Sequence, residues 1–343
     1  MVKLLGILLF SFAATLVAAI PFIDLLYRLK FQRQREVQRD IFGHFTSIVN
    51  RLHGWKVGTP NAGGVLVILT TVVLSAIFYK LVPGYEIRTK AFGFNWTAII
   101  LYLTLFLFGL LGLYDDIRKF YGFKQAGVWG LRIRYKVLLQ LIPAAILGCL
   151  LYTKMHLTSV HVPVFDLNVE LGAFYIIWAT VVIFATTNAV NIADGLDGLA
   201  SGLALFALST FWVLSAHTNI HDVSLFIAVV IGSLLAFLYF NIYPARVWLG
   251  DTGALALGAM LAVVALMINA SLVLPFIGFV FVIEAASSLI QIFTKGVFGK
   301  RVFQAAPLHH HFEARGWDET KVTMRFWLAG AIAAFVGLFI ALL

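Results

Sequence analysis

Charge is what this chain has least of: acidic and basic side chains make up 12% of its 343 residues, against 61% hydrophobic ones. So little charge cannot cover a water-facing surface, which excludes a soluble globular domain and leaves lipid as the solvent for most of the chain. Cysteine is nearly absent. The single Cys149 excludes an intrachain disulfide and, lying inside an apolar run, is expected only to pack. Large soluble insertions are missing too: the longest polar stretches, 28–56 and 295–325, are too short for a domain of their own. A continuous basic stripe is also lacking. Although the formal net charge is +9, the lysines and arginines fall in short blocks between apolar runs. That excludes nucleic acid as a partner and points to membrane topology and contact with anionic lipid.

What is plentiful is Phe (31) and Gly (28), the latter allowing close approach of helix backbones. Runs long enough to cross the hydrocarbon layer as helices occur near 4–23, 62–83, 96–114, 137–153, 171–190, 198–216 and 223–240. The uncharged stretch from Thr252 to Ile283 is too long for one helix, and Asn269, Ser271 and Pro275 predict a tight turn dividing it into 253–269 and 273–294. A last run covers 326–343. The expected fold is an all-α polytopic membrane protein of about ten transmembrane helices. The first run follows a lone Lys3, which favours a first membrane helix over a cleaved signal peptide. An even number of crossings places both termini on one side. Of the 25 lysines and arginines, 20 lie in 28–56, 115–136, 241–252 and 295–325, which assigns these segments to the cytoplasm and both termini to the outside. The expectation is a single integral membrane domain, 1–343, with cytoplasmic loops near 28–56, 115–136, 191–198, 241–252 and 295–325.

Four polar islands on that side invite a chemical reading. Asp115 and Asp116 are adjacent carboxylates at a membrane boundary, costly unless a cation joins them, and Lys119 shares a helical face with Asp115. Such a pair suits a hard ion held together with phosphates. Asn188, Asn191, Asp194 and Asp197 recur every three residues as a polar stripe, suited either to hydrogen-bonding a polar ligand or to linking helices. In the third island, Asn241 to Gly253, Pro244 ends a span, Asp251 is either a helix N-cap or part of an anion site, and Trp248 is either an interfacial residue or a ligand contact. The fourth holds His309, His310 and His311 before Glu313. Three consecutive histidines cannot point one way on a helix, and phosphate contact is at least as plausible for them as zinc. A smaller candidate comprises Lys56, Thr59, Pro60, Asn61, Gly63 and Gly64. Glu284, a carboxylate inside an apolar run, suggests either transport or binding, or pairing within the bundle.

In their order, these islands resemble the bacterial phospho-N-acetylmuramoyl-pentapeptide transferase family, within the polyprenyl-phosphate N-acetylhexosamine-1-phosphate transferases. The resemblance rests on Thr59-Pro-Asn-Ala-Gly-Gly64, Asp115-Asp-Ile-Arg-Lys119, Asn188 through Gly198, Asn241 through Gly253, Leu308-His-His-His-Phe-Glu313, Gly316-Trp317 and Arg325-Phe-Trp327. Ala193, Leu249 and Ala254 stand where the family more often has Thr, Met and Ser, and Asn61-Ala62 where it has Thr-Met. None of these departures removes a carboxylate or a histidine.

The resemblance implies an inner-membrane enzyme with periplasmic termini and a cytoplasmic site. It would transfer phospho-N-acetylmuramoyl-pentapeptide from UDP-MurNAc-pentapeptide to undecaprenyl phosphate, releasing UMP and forming lipid I for peptidoglycan. It further implies Mg²⁺ at Asp251 with Asp115 and Asp116, Asp115 as the base for the lipid phosphate, and Lys119, Lys136, His309, His310 and His311 at phosphates. Lys56, Thr59, Asn188, Asn191, Asp194, Asp197, Asn241 and Trp248 would bind substrate, Trp248 stacking on uracil. Membrane lipids and a second copy of the chain are the implied partners. A UDP-GlcNAc-using relative and a transporter are the alternatives.

Overall fold

The computed structural model describes residues 2–32, 58–82, 95–120 and 133–343. Among them, ten helices are long and apolar enough to cross a membrane, as the hydropathy of the sequence predicts. They are α1 (Val2–Arg28), α2 (Gly64–Leu81), α3 (Trp96–Phe120), α4 (Ile133–Met155), α5 (Tyr175–Ala193), α6 (Leu199–His217), α7 (His221–Asn241), α8 (Gly250–Met267) and α9 (Phe279–Phe298), then, after a short helix α10 (Leu308–Ala314), α11 (Glu319–Ala341). Among the described residues regular sheet is limited to one hairpin, β1 (Ser159–Val162) paired antiparallel to β2 (Leu167–Glu170), between α4 and α5.

The bundle is built around α8. Almost every one of its residues is buried, and it packs against α2, α3, α5 and α6. Its sequence explains the position: between Gly250 and Ala265 glycine and alanine dominate, so neighbouring backbones can close in on all sides. Both α2 and α3 come this close: a methyl group on Gly64 would run into the Gly253 backbone, and one on Gly112 would lie 2.2 Å from the Asp251 carbonyl oxygen. The outer helices α1, α9 and α11 instead present Phe10, Phe293, Phe335 and other large apolar side chains outward, as lipid-facing helices do. Cys149, expected to pack, lies on the exposed face of α4.

Several helices outrun their apolar segments. α3 continues through Phe120 instead of stopping near 114, so Asp115, Asp116 and Lys119 are helical residues rather than loop residues. The reason is visible in their surroundings, because both carboxylates are buried against partners from other helices. α11 likewise begins at Glu319 rather than near 326, and α9 reaches Phe298, which shrinks the 295–325 loop to the segments around α10. The predicted turn at Asn269 is present, with φ +54 at that residue. The following span nevertheless starts later than expected, because Pro275 opens a single helical turn, Leu274–Ile277, that breaks at Gly278 before α9 begins. Asn269 also ties the hairpin down, its side-chain oxygen accepting the His161 N–H at 3.1 Å.

Candidate active site

One end of the bundle holds a polar cavity of about 930 Å³, open mouth included, lined by residues of six chain segments. At its floor α3 meets the N-terminus of α8. The first turn of α8 has no side-chain cap of its own, and the unpaired N–H groups of a buried helix start must be satisfied from elsewhere. Asp116 does this across the fold. Its Oδ1 accepts the Asp251 N–H at 3.1 Å, and its Oδ2 accepts the Thr252 N–H at 2.9 Å and the Thr252 hydroxyl at 2.6 Å. Asn61 Nδ2 donates to the same carboxylate at 3.0 Å. The alternative in which Asp251 caps its own helix does not hold: Asp251 sits inside the first turn, its carboxylate turned toward α3, α4 and α5.

Around Asp251 the charges alternate. Its Oδ2 accepts Lys136 Nζ at 2.6 Å and Lys119 Nζ at 2.9 Å, and its Oδ1 accepts Asn191 Nδ2 at 3.1 Å. The same two ammonium groups reach Asp115 Oδ2, at 3.2 Å from Lys136 and 3.4 Å from Lys119, so the four-residue spacing of Asp115 and Lys119 on α3 is used. Among the described residues no three His, Cys, Asp or Glu side chains converge as a closed metal cage. Asp115 and Asp251 instead offer an oxygen-only pair beside an open cavity, the donor set a hard divalent cation takes when ligand phosphates complete its coordination. The four bonds to Asp116 leave it to fix the backbone that carries Asp251.

The polar stripe divides into separate tasks. Asn188 turns away from the cavity, donating to Gln140 Oε1 at 2.6 Å and so linking α5 to α4. Asn191 joins the carboxylate cluster. Asp194 and Asp197 lie past the end of α5, in the turn that forms one cavity wall. Burial, followed by the charges of Asp251 and Asp116, pushes the Asp194 carboxyl up to about 8. Asp197 accepts Trp248 Nε1 at 3.1 Å and the Ala245 N–H at 3.0 Å. Asn241 donates to the Val247 carbonyl at 3.0 Å, which holds the Trp248 loop against the end of α7. Trp248 lines the cavity, and its backbone is fixed by the Pro60 carbonyl and the Gly63 N–H. Thr59 borders this segment without lining the cavity, and Lys56 lies outside the described residues.

Histidines 309, 310 and 311 point three ways, as consecutive helical residues must. His309 pairs with Glu284, His310 with Glu313 at 2.8 Å, and His311 Nδ1 accepts the Gln304 N–H at 3.2 Å. Partial burial and the nearby Arg315 lower the His311 pKa. None of the three lines the cavity, although the His309 ring backs directly onto its Gly195 wall.

Sequence reasoning passed over the cavity's mouth, where Phe31 and Phe120 stack at 4.7 Å, because aromatics at helix ends read as interfacial belt residues. It also passed over Glu319 and Thr323 of α11, which hold the Asp197 backbone N–H and carbonyl from behind. Neither carries a local signal.

Residues 98–269, from α3 to just past α8, match Glycosyl transferase family 4. The phospho-N-acetylmuramoyl-pentapeptide-transferase of Caldanaerobacter subterraneus subsp. tengcongensis is 37% identical over 338 residues, 98% of each chain. That of Geobacillus sp. strain WCH70 is 35% identical over 342 residues, covering 99% of this chain and 98% of the relative. That of Bacillus subtilis strain 168 is 37% identical over 292 residues, covering 84% and 85%. Identity at this level over almost the whole length, with the carboxylate–lysine cluster inside the matched region, establishes that the chain belongs to the phospho-N-acetylmuramoyl-pentapeptide transferase family.

Proposed function

We propose that this protein transfers phospho-N-acetylmuramoyl-pentapeptide from UDP-MurNAc-pentapeptide to undecaprenyl phosphate, releasing UMP and forming lipid I. The observation that carries the reading is that Asp251 and Lys119, which line a cavity at one end of a membrane bundle, alternate in charge with Asp115 and Lys136 directly behind them. Two strongly anionic partners must meet there, and repulsion between them is the physical obstacle. Lys119 gives two of its three ammonium protons to these carboxylates and has one left for a phosphate oxygen, whereas Lys136 already reaches Asp115, Asn191 and Asp251. Mg²⁺, held by Asp251 with Asp115, would offset the remaining charge and stabilise the leaving UMP. Asp115 takes the proton of the lipid phosphate, whose oxygen attacks the sugar-side phosphorus as the bond to the UMP oxygen breaks. Trp248, with Asp194, Asp197, Asn191 and Asn241 around it, forms the nucleoside end of the cavity.

The whole chain acts as one integral domain of the bacterial inner membrane. The clustering of basic residues supports a cytoplasmic site and periplasmic termini. The soluble nucleotide then enters from the cell, and the lipid acceptor arrives sideways from the bilayer. A homodimer, implied by the family, would cover part of the apolar outer surface.

Purified protein in detergent, given undecaprenyl phosphate and Mg²⁺, should release UMP with UDP-MurNAc-pentapeptide and not with UDP-GlcNAc. Release with UDP-GlcNAc alone would overturn the substrate assignment.

Asp194 gives this reading a pH signature. Below about pH 8 its carboxyl is protonated and can donate to the ligand; above that it adds a negative charge beside Asp251 and Asp116. The KM for the nucleotide donor should therefore climb above pH 8, approaching about tenfold per pH unit if only the neutral form binds. Asp194→Asn, which keeps a neutral donor, should flatten that limb. An unchanged slope in the variant would place the titrating group elsewhere.

A further inference from the structure

Among the described residues, Glu284 is the carboxylate buried within a membrane-spanning segment that the proposed reaction leaves without a task. It lies on α9, fully buried, and both of its oxygens are taken by one residue. Oε1 accepts the His309 backbone N–H at 3.1 Å, and Oε2 lies 2.9 Å from His309 Nδ1. A carboxylate accepts hydrogen bonds and donates none, so its contact fixes the ring proton on Nδ1. The other ring nitrogen, Nε2, is buried with no hydrogen-bond partner. It faces Gly195: a methyl group built there would lie 2.3 Å from Nε2 and 2.9 Å from Cε1. Gly195 lies between Asp194 and Leu196, and all three line the cavity.

We infer that Glu284 is a positioning residue for the proposed transfer, holding His309 in one orientation with Nδ1 protonated, so that the imidazole braces the Asp194–Asp197 wall through Gly195. The inference rests on the functional reading for its consequences in catalysis, and on geometry alone for the state of the ring. Two features make the brace specific. The bidentate contact holds both the start of α10 and the ring of its second residue on one carboxylate, so the ring cannot swing without giving up its buried partner. The absence of a side chain at Gly195 lets the ring press against the wall's backbone, so the wall position follows the ring position. The wall is held on its other side by Glu319 and Thr323 at Asp197 and by Trp327 Nε1 at the Gly198 carbonyl, 3.1 Å. With Glu284 the turn is clamped at both ends.

Glu284→Gln keeps size and shape but changes this logic. The amide oxygen can accept the His309 backbone N–H only if its NH₂ group faces Nδ1, which drives the ring proton to Nε2. Nuclear magnetic resonance of full-length, ¹⁵N-histidine-labelled protein in detergent, with His309 assigned by its loss in His309→Asn, reads this directly. Nδ1 should be protonated in the wild type, and Nε2 in Glu284→Gln. A wild-type spectrum with Nδ1 unprotonated would overturn the inference, whether or not any variant folds. On the activity side, Glu284→Gln should lower kcat by about 10- to 100-fold, the cost usual for removing an orienting partner. Combined with His309→Asn it should cost nothing further, whereas losses that multiply would show that Glu284 acts through something else. Failure of wild-type UMP release with every donor would count against the functional reading alone, since the spectrum decides the ring state independently.

Discussion

Asp251→Asn is expected to reduce UMP release by about 10³-fold, equivalent to about 4 kcal/mol of transition-state stabilisation, while the protein stays folded in detergent. The side chain keeps its shape, so the packing around α8 is not the cause. What changes is that one oxygen, which now receives two ammonium groups, is lost or exchanged for an NH₂ group. Lys119 and Lys136 are then left with Asp115 as their shared anion at 3.4 and 3.2 Å. The variant also loses the first carboxylate proposed to hold Mg²⁺, so whatever activity survives should need far more of the ion. Steady-state UMP release across a magnesium titration, alongside thermal melting, tests this. Activity within tenfold of wild type, with an unchanged magnesium requirement, would remove Asp251 from the reaction.

A single methyl group added at Gly112 should also do large damage, from outside the cavity. The added Cβ would meet the Asp251 carbonyl oxygen at 2.2 Å and the Thr252 Cα at 2.5 Å. Both contacts are with backbone, so no rotamer change can relieve them and α8 must shift away from α3. A displacement near 1 Å at a catalytic group costs about 10²-fold in rate, and here the displaced residue is Asp251 itself. Gly112→Ala should therefore lose about 10²-fold in kcat and melt at lower temperature. Gly109→Ala, one turn earlier on the same helix, is the control. Its methyl group would meet only the tip of Ile68 at 2.7 Å, a side-chain end that can move aside, so near-normal activity is expected. Equal losses in the two variants would show that general helix packing, rather than the position of Asp251, is what Gly112 protects.

The parts of this architecture that the sequence discloses are those governed by local or periodic physics. Ten apolar segments of membrane length announce ten helices, and the four-residue spacing of Asp115 and Lys119 announces a shared face. What stays hidden depends on partners far away in the chain. Helix α3 runs past its apolar segment because Asp116 finds the N–H groups of Asp251 and Thr252, a pairing no window of sequence contains. Asn188 sits on the same three-residue ladder as Asn191, yet it turns to Gln140 because α4 passes there. Glu284 shows as an anomaly in an apolar run without naming its partner, 25 residues further on. The histidine triplet announced that its members must diverge, but which one would back onto the cavity depended on where α10 docks.

The helix that carries Asp251 in its first turn meets protein along almost its whole length. A bilayer that is thicker or thinner than the bundle prefers acts on helices in contact with lipid, tilting them at modest cost, and in this fold helices such as α1, α9 and α11, with large apolar side chains turned outward, are of that kind. Their adjustments reach the site through packed neighbours, while α8 stands as a fixed post inside them. The protein thus separates the surface that must accommodate a fluid and variable solvent from the helix whose end must hold a carboxylate in place.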